Sequence, residues 1–177
     1  MEEPGFIELV RLHWNQPEYM HVFLHPLPIY GVALGVLALV IAMALRSRQA
    51  QITALCLLFL CALSAWPVGH FGEEAYDRVE SISNDAGNAW LDAHAQRATR
   101  ALPIFYILAT LSAVALVLPK WLPKSALSLN LATITLSLVT LGFAGWIAIA
   151  GGQIRHSEFR YGKPSEPLGG YEKMRDK

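Results

Sequence analysis

Apolar residues in this chain gather into four long blocks with polar segments between them. The first runs from Leu27 to Leu45 and stops at Arg46-Ser47-Arg48. The second runs from Ile52 to about Val68 and can borrow a further turn to Phe71. The third runs from Ala101 to Leu118 and stops at Pro119-Lys120. The fourth runs from Ala126 to Ala150 and stops at Gly151-Gly152. Each block is apolar on every face, which a helix packed on one side of a water-soluble core is not. A helix needs about 20 such residues to cross the hydrocarbon core of a bilayer. The pattern predicts an all-α integral membrane protein with spans at about 27–45, 52–71, 101–118 and 126–150, a membrane domain over 27–152.

The connections alternate in length. Short polar links join the first block to the second and the third to the fourth, and a long polar segment joins the second to the third. Short links force antiparallel neighbours, so the expected fold is an antiparallel four-helix bundle made of two helical hairpins. Residues 1–26 read as a polar N-terminal arm and 153–177 as a polar, irregular tail rich in Gly, Pro and charge. In the long segment, Ser83-Asn84-Asp85 resembles an N-cap, which would let helix run from Asp85 into the third span. Helices two and three are therefore expected to extend beyond the membrane on one side, with a turn near 81–84. On such a projection Trp90, His94, Arg97 and Ala101 share one face.

Two stripes predict how the spans pack. Gly31, Gly35, Ala38 and Ala42 on the first span would let a neighbouring backbone come close. Asn130, Thr133, Ser137 and Thr140 on the fourth should turn inward and hydrogen-bond across helices. The short loops carry Arg46, Arg48, Lys120 and Lys124 without an acid, which places them in the cytoplasm and both termini outside.

Composition agrees. Hydrophobic residues make up 54% and charged residues 16%, with mean hydropathy +0.35; soluble domains carry about 25% charged residues. Lys plus Arg and Asp plus Glu are equal at 14 each, so no net charge points to nucleic acid. The start, Met1-Glu2-Glu3-Pro4, is acidic where a secretory signal needs a basic region, so the first block is expected to stay as a span. Cys56 and Cys61 stand five apart in one apolar run, too far round a helix to pair, and read as small packing residues.

Chemistry could reside in the histidines. All six, His13, His21, His25, His70, His94 and His156, fall on the side that holds the termini, and the last four lie close to span ends. Neutral imidazole ligates haem iron and transition metals. His25 and His94 would suit the two axial positions of a b-type haem held between helices, with His70 as a further candidate. His70, Glu73, Glu74 and His94 would instead suit a metal with nitrogen and oxygen ligands. The plainer reading of each histidine is an interfacial side chain bonded to backbone or water, and this is the stronger reading for His13 and His21 on the arm. The plainer reading of Glu73, Glu74 and Asp77 is ion pairing with Arg97 and Arg100. No phosphate loop, H-E-x-x-H, G-x-S-x-G or C-x-x-C-H motif is present, which leaves no recognisable nucleophile and no covalent haem attachment.

From His25-Pro26-Leu27-Pro28-Ile29 onward the chain resembles the bacterial membrane family catalogued as domain of unknown function 2231. The resemblance rests on that His-Pro element, on His94 in Leu91-Asp92-Ala93-His94-Ala95, and on Gly151-Gly152-Gln153-Ile154-Arg155-His156 after the fourth span. Tyr30 stands where the family often has a second histidine. The resemblance implies a four-span protein of the bacterial inner membrane, loosely associated with respiratory or redox proteins. The expected function is thus a redox-associated membrane protein, not an enzyme on its own, holding haem b or a transition metal near the outer face. The alternative is a structural or assembly subunit of a membrane complex without any cofactor. The partners expected are the lipid bilayer and other membrane proteins.

Overall fold

The fold is described by a computed structural model over residues 5–162 and 164. Four helical runs are long and apolar enough to cross a membrane: Pro17–Ala44, Arg48–Glu74, Asp85–Lys120 and Pro123–Arg155. Each contains one of the apolar blocks.

The first run starts at Pro17, before the apolar block, because the start signals lie there. Pro17 takes the first helical position and Glu18 sits in the first turn, so what sequence reads as an arm contains helix α1, Phe6–Trp14, and helix α2, Pro17–Leu24. Between α2 and helix α3, Val32–Ala44, the ladder widens into a π-turn at Leu27–Gly31. Pro26 and Pro28 explain it, since neither can donate to the carbonyl one turn back. Pro67 acts likewise in the second run. Its missing N–H would have met Leu63, and there helix α4, Arg48–Leu63, gives way to helix α5, Ala65–Glu74. Helix α6, Tyr76–Ser81, ends in a turn at Ile82–Asn84. The Asn84 side chain then accepts from Gly87 N at 2.8 Å and starts helix α7, Asp85–Val117. Helix α8, Ala126–Arg155, completes the set.

Helices α3 and α4, α4 and α7, α7 and α8, and α8 and α3 pack pairwise and so close a four-helix bundle. Its core holds Val32, Val36 and Leu39 from α3, Leu55 and Leu58 from α4, and Leu108 from α7. The outside is as apolar as the inside: Leu34, Leu37, Leu60, Ile107, Leu131 and Leu138 are all more than half exposed or at half. Only about a quarter to a third of each span window is buried, 22–33%. Leucine and isoleucine on all sides of a bundle need lipid, not water. The protein is a multi-pass membrane protein.

The small-residue stripe does what its spacing suggests. A Cβ on Gly35 would lie 2.9 Å from Leu58, and one on Gly31 still closer to the Cys61 sulfur, so α3 and α4 touch almost backbone to side chain. Cys61 packs there as a free thiol and Cys56 is exposed. The polar stripe differs from expectation. Asn130, Thr133, Ser137 and Thr140 are indeed buried, but only Asn130 reaches across, donating to Gln51 Oε1 at 3.0 Å. Thr133, Ser137 and Thr140 donate instead to Leu129, Thr133 and Leu136 on their own helix. A short hydroxyl in lipid finds the carbonyl one turn back without reaching over.

The start of the tail is also more ordered than its composition suggests. Arg160 folds back to donate to the Gln153 and Ile154 carbonyls, at 2.7 Å each, and to Asn84 Oδ1 at 3.3 Å. It thereby caps α8 and ties it to the turn before α7. Beyond residue 164 the tail lies outside the described residues.

The close approach at Gly35 gives a test. Gly35→Leu should cost about 1–3 kcal/mol through overpacking against a fully buried Leu58. Gly142→Ala, where an added Cβ meets open space, should change stability little. Unfolding of both variants in detergent would show the contrast.

Candidate functional site: three imidazoles at one end of the bundle

Three of the six histidines come together. His21 on α2 stacks against His25, which ends the same helix, with ring centroids 6.4 Å apart and planes 14° from parallel. On its other side His21 meets His94 of α7 edge-on, at 6.2 Å and 86°. His21 is thus the middle member, and it is the one that sequence reasoning set aside. With the first helix assumed to start at Leu27, His21 lay on an arm. The usable signal was the four-residue spacing of His21 and His25 behind a Pro-Glu helix start, which puts both imidazoles on one helix face.

Each ring is held by the same atom. Nδ1 of His21 lies 2.8 Å from the Val68 carbonyl on α5, Nδ1 of His94 lies 3.1 Å from the Ile147 carbonyl on α8, and Nδ1 of His25 lies 2.6 Å from the Val22 carbonyl. A carbonyl oxygen only accepts, so in all three rings Nδ1 carries the proton and donates. The neutral ring then keeps a bare lone pair on Nε2. This is the tautomer that metal-binding histidines adopt, and a backbone carbonyl is among the partners that usually fix it.

The carbonyls are reachable for local reasons. Val22 O is free because Pro26, one turn on, has no N–H to give it. Val68 and Ile147 are each followed four residues later by a glycine, Gly72 and Gly151. A Cβ on Gly72 would lie 2.8 Å from His21 Nδ1, and a Cβ on Gly151 would lie 3.0 Å from His94 Nδ1. In a helix the residue at i+4 stands over the carbonyl of residue i. Glycine there uncovers the oxygen to a ring approaching from another helix. The same device is used twice, on α5 for His21 and on α8 for His94.

Arg97 lies one turn beyond His94 on α7. It donates to the Trp146 carbonyl at 2.7 Å and rests over the Trp146 ring at 4.9 Å, with Trp90 at 5.9 Å on the same side. Sequence expected it to pair with the acids of the middle segment. It turns to α8 instead, and among the described residues no carboxylate forms an ion pair with it.

The other proposed ligands stand apart from this group. His70 is exposed, 3.5 Å from Glu74 one turn on, and its ring contacts are with Trp66 and Phe71. Glu73 is exposed beside it. Glu18 on α2 forms the ion pair with Arg78 at 2.8 Å. His13 donates back to Leu9 and leans on Tyr19, and His156 pairs with Glu158. Among the described residues no three His, Cys, Asp or Glu side chains are already set to hold a metal ion. A ligating nitrogen lies about 2.0–2.1 Å from its metal, so two rings on one ion have centroids from roughly 4.5 Å apart at a right angle to roughly 6.4 Å apart when opposed. The separations of 6.2 and 6.4 Å are at the wide end of that range.

Comparison of the chain with family models, curated proteins and solved structures found no match.

The glycine device can be tested without knowing any ligand. Gly72→Ala should dislodge His21, and Gly151→Ala should dislodge His94. Gly152→Ala, whose Cβ would meet nothing nearer than Phe159 at 4.0 Å, should move neither. Nitrogen NMR of labelled histidine reads the result, as loss of the Nδ1–H signature of one ring in each of the first two variants.

Proposed function

We propose that this protein binds a transition metal through imidazole Nε2 atoms at one end of its membrane bundle, and that the metal is the iron of a b-type haem with a redox role. The observation that carries the reading is the shared tautomer of His21, His25 and His94, each with Nδ1–H given to a carbonyl and Nε2 left bare. Two features favour haem. His21 and His94 stand on different helices with ring centroids 6.2 Å apart, and both would hold the iron through Nε2. Arg97, which lies beside His94 and has no carboxylate paired with it among the described residues, could take a propionate. The group itself would supply one-electron chemistry, and the chain would supply imidazole nitrogens from His21 and His94, a fixed ring tautomer and the Arg97 charge.

A bare metal ion is the second reading. It rests on the third imidazole, since His25 stands parallel to His21 at 6.4 Å and would complete a three-nitrogen set once the rings draw closer round an ion. The mixed set with His70, Glu73 and Glu74 has less support, because His70 is engaged on the surface with Glu74.

The arrangement in the bilayer belongs to the same proposal. The helices alternate in direction as two hairpins. The run Asp85–Lys120 has 36 residues, about 54 Å of helix, against about 30 Å of hydrocarbon. That excess supports a reading in which its N-terminal turns, with α6, reach beyond the membrane and the imidazoles lie near that interface. The basic short loops put this side outside, in a bacterial inner membrane. The resemblance to the domain of unknown function 2231 family that the sequence suggests is kept in the same proposal. His25-Pro26 and His94 carry both that resemblance and the site, while His21 offers a second imidazole on the first helix where Tyr30 replaces the family's.

Purification in detergent tests the cofactor. Haem should give a red protein with a Soret band, and His21→Ala or His94→Ala should remove most of it, while His13→Ala should not. A colourless protein containing a transition metal that is lost in the same variants, and in His25→Ala, would support the bare ion. Absence of both would overturn the proposal and favour a structural subunit. For topology, reporter fusions at both termini should report the outer side, and cytoplasmic labelling of either would reverse the orientation.

A further inference from the structure

Helix α1 buries none of its side chains. Phe6, Ile7, Leu12 and Trp14 are all at least half exposed, and Val10 is nearly so. At 100° per residue, Leu12, Leu9, Phe6, Val10, Trp14 and Ile7 follow one another round a wide arc with Phe6 near its middle, and Glu8 and Arg11 share the sector left opposite Phe6. His13 falls within the apolar side, and its polar atom is turned back to the Leu9 carbonyl at 2.7 Å. A nine-residue helix standing alone in water is marginal. This one has a wide apolar face, and among the described residues none of its side chains is buried.

We infer that α1 is a membrane-surface helix, lying in the plane of the bilayer with its apolar face among the upper acyl chains. Continuity with the lipid-facing surface identifies the occupant. Tyr19, Val22 and Phe23 on α2, then Leu27 and Tyr30, are exposed along the first long helix and lead without interruption into its lipid-facing side chains Leu34 and Leu37. Depth agrees. The run Pro17–Ala44 has 28 residues, about 42 Å, which matches the bilayer with its headgroups at about 40–45 Å. The break at Asn15–Gln16 therefore falls in the headgroup layer, where a helix can turn into the plane. The ring of His13 against Tyr19, 4.8 Å apart, fixes α1 to α2 at that corner. A terminal Trp and an Arg on the far side suit the interface, and such a helix sinks about 5–10 Å into the boundary.

The test is site-directed spin labelling of the full chain in phosphatidylcholine–phosphatidylglycerol vesicles, with cysteine placed singly at positions 6 to 14 in a Cys56→Ala, Cys61→Ala background. Oxygen accessibility should peak at Phe6, Leu9 and Val10, and accessibility to a water-soluble nickel chelate should peak at Glu8 and Arg11, in opposite phase with the helical period. High nickel accessibility at every position would overturn the inference in favour of a helix in water. Low accessibility to both reagents along the apolar arc would overturn it in favour of a protein partner or a second copy. If the cysteine-free background does not fold, hydrogen exchange on the unaltered chain in nanodiscs decides. Amides of Val10–Trp14 should be protected, and exchange at free-peptide rates would refute the surface helix.

Discussion

Within lipid there is no water to take up a spare hydrogen bond, and this single constraint accounts for most of what is distinctive here. Every amide and carbonyl in the spans needs a partner made of protein. The chain answers with four long helices. Where proline breaks a ladder, another group steps in, as His25 does at the Val22 carbonyl left by Pro26. Where serine or threonine is buried, its hydroxyl returns to its own helix, as Thr133, Ser137 and Thr140 do. The imidazoles follow the same rule, and their chemistry is a by-product of it. Once Nδ1 is committed to a carbonyl, the other nitrogen is left available.

The parts of the fold that depend on composition and period could be read directly. Four apolar blocks gave four spans, and the cap at Asn84 placed the start of α7. The inward turn of the polar stripe followed from spacing alone. What could not be read was anything set by contact between distant segments. His21 meets His94 across 73 positions, and the carbonyl that accepts its hydrogen bond on α5 is open to it only because Gly72 lacks a Cβ. Neither glycine announces this in sequence, where Gly72 precedes an acidic pair and Gly151 reads as a helix stop. The start of the first helix was missed for a different reason: a hydropathy block marks where lipid begins, not where helix begins.

His94 and Arg97 show how one helix face can serve two environments. Three residues apart on α7, both point at α8, and both take main-chain carbonyls there, Ile147 and Trp146. The imidazole needs a glycine gap to reach its oxygen, whereas the longer guanidinium stem reaches past Trp146 and lies on its ring. The two contacts fix the rotation of α7 against α8 more tightly than their apolar seam alone could, since ridges of Ala and Ile tolerate small slips that a hydrogen bond does not.

The bond from Arg160 to Asn84 joins residues 76 positions apart, and so it bears on the order in which the chain assembles. Asn84 leaves the ribosome with its cap already able to start α7, but its distant partner does not yet exist. At about 5–20 residues per second, roughly 4 to 15 seconds of synthesis separate the two. The second helical pair must therefore enter the bilayer, with α8 still uncapped, before the clasp can close. A contact of such long sequence separation is late by necessity. It cannot guide insertion, and it can only hold what insertion has already achieved.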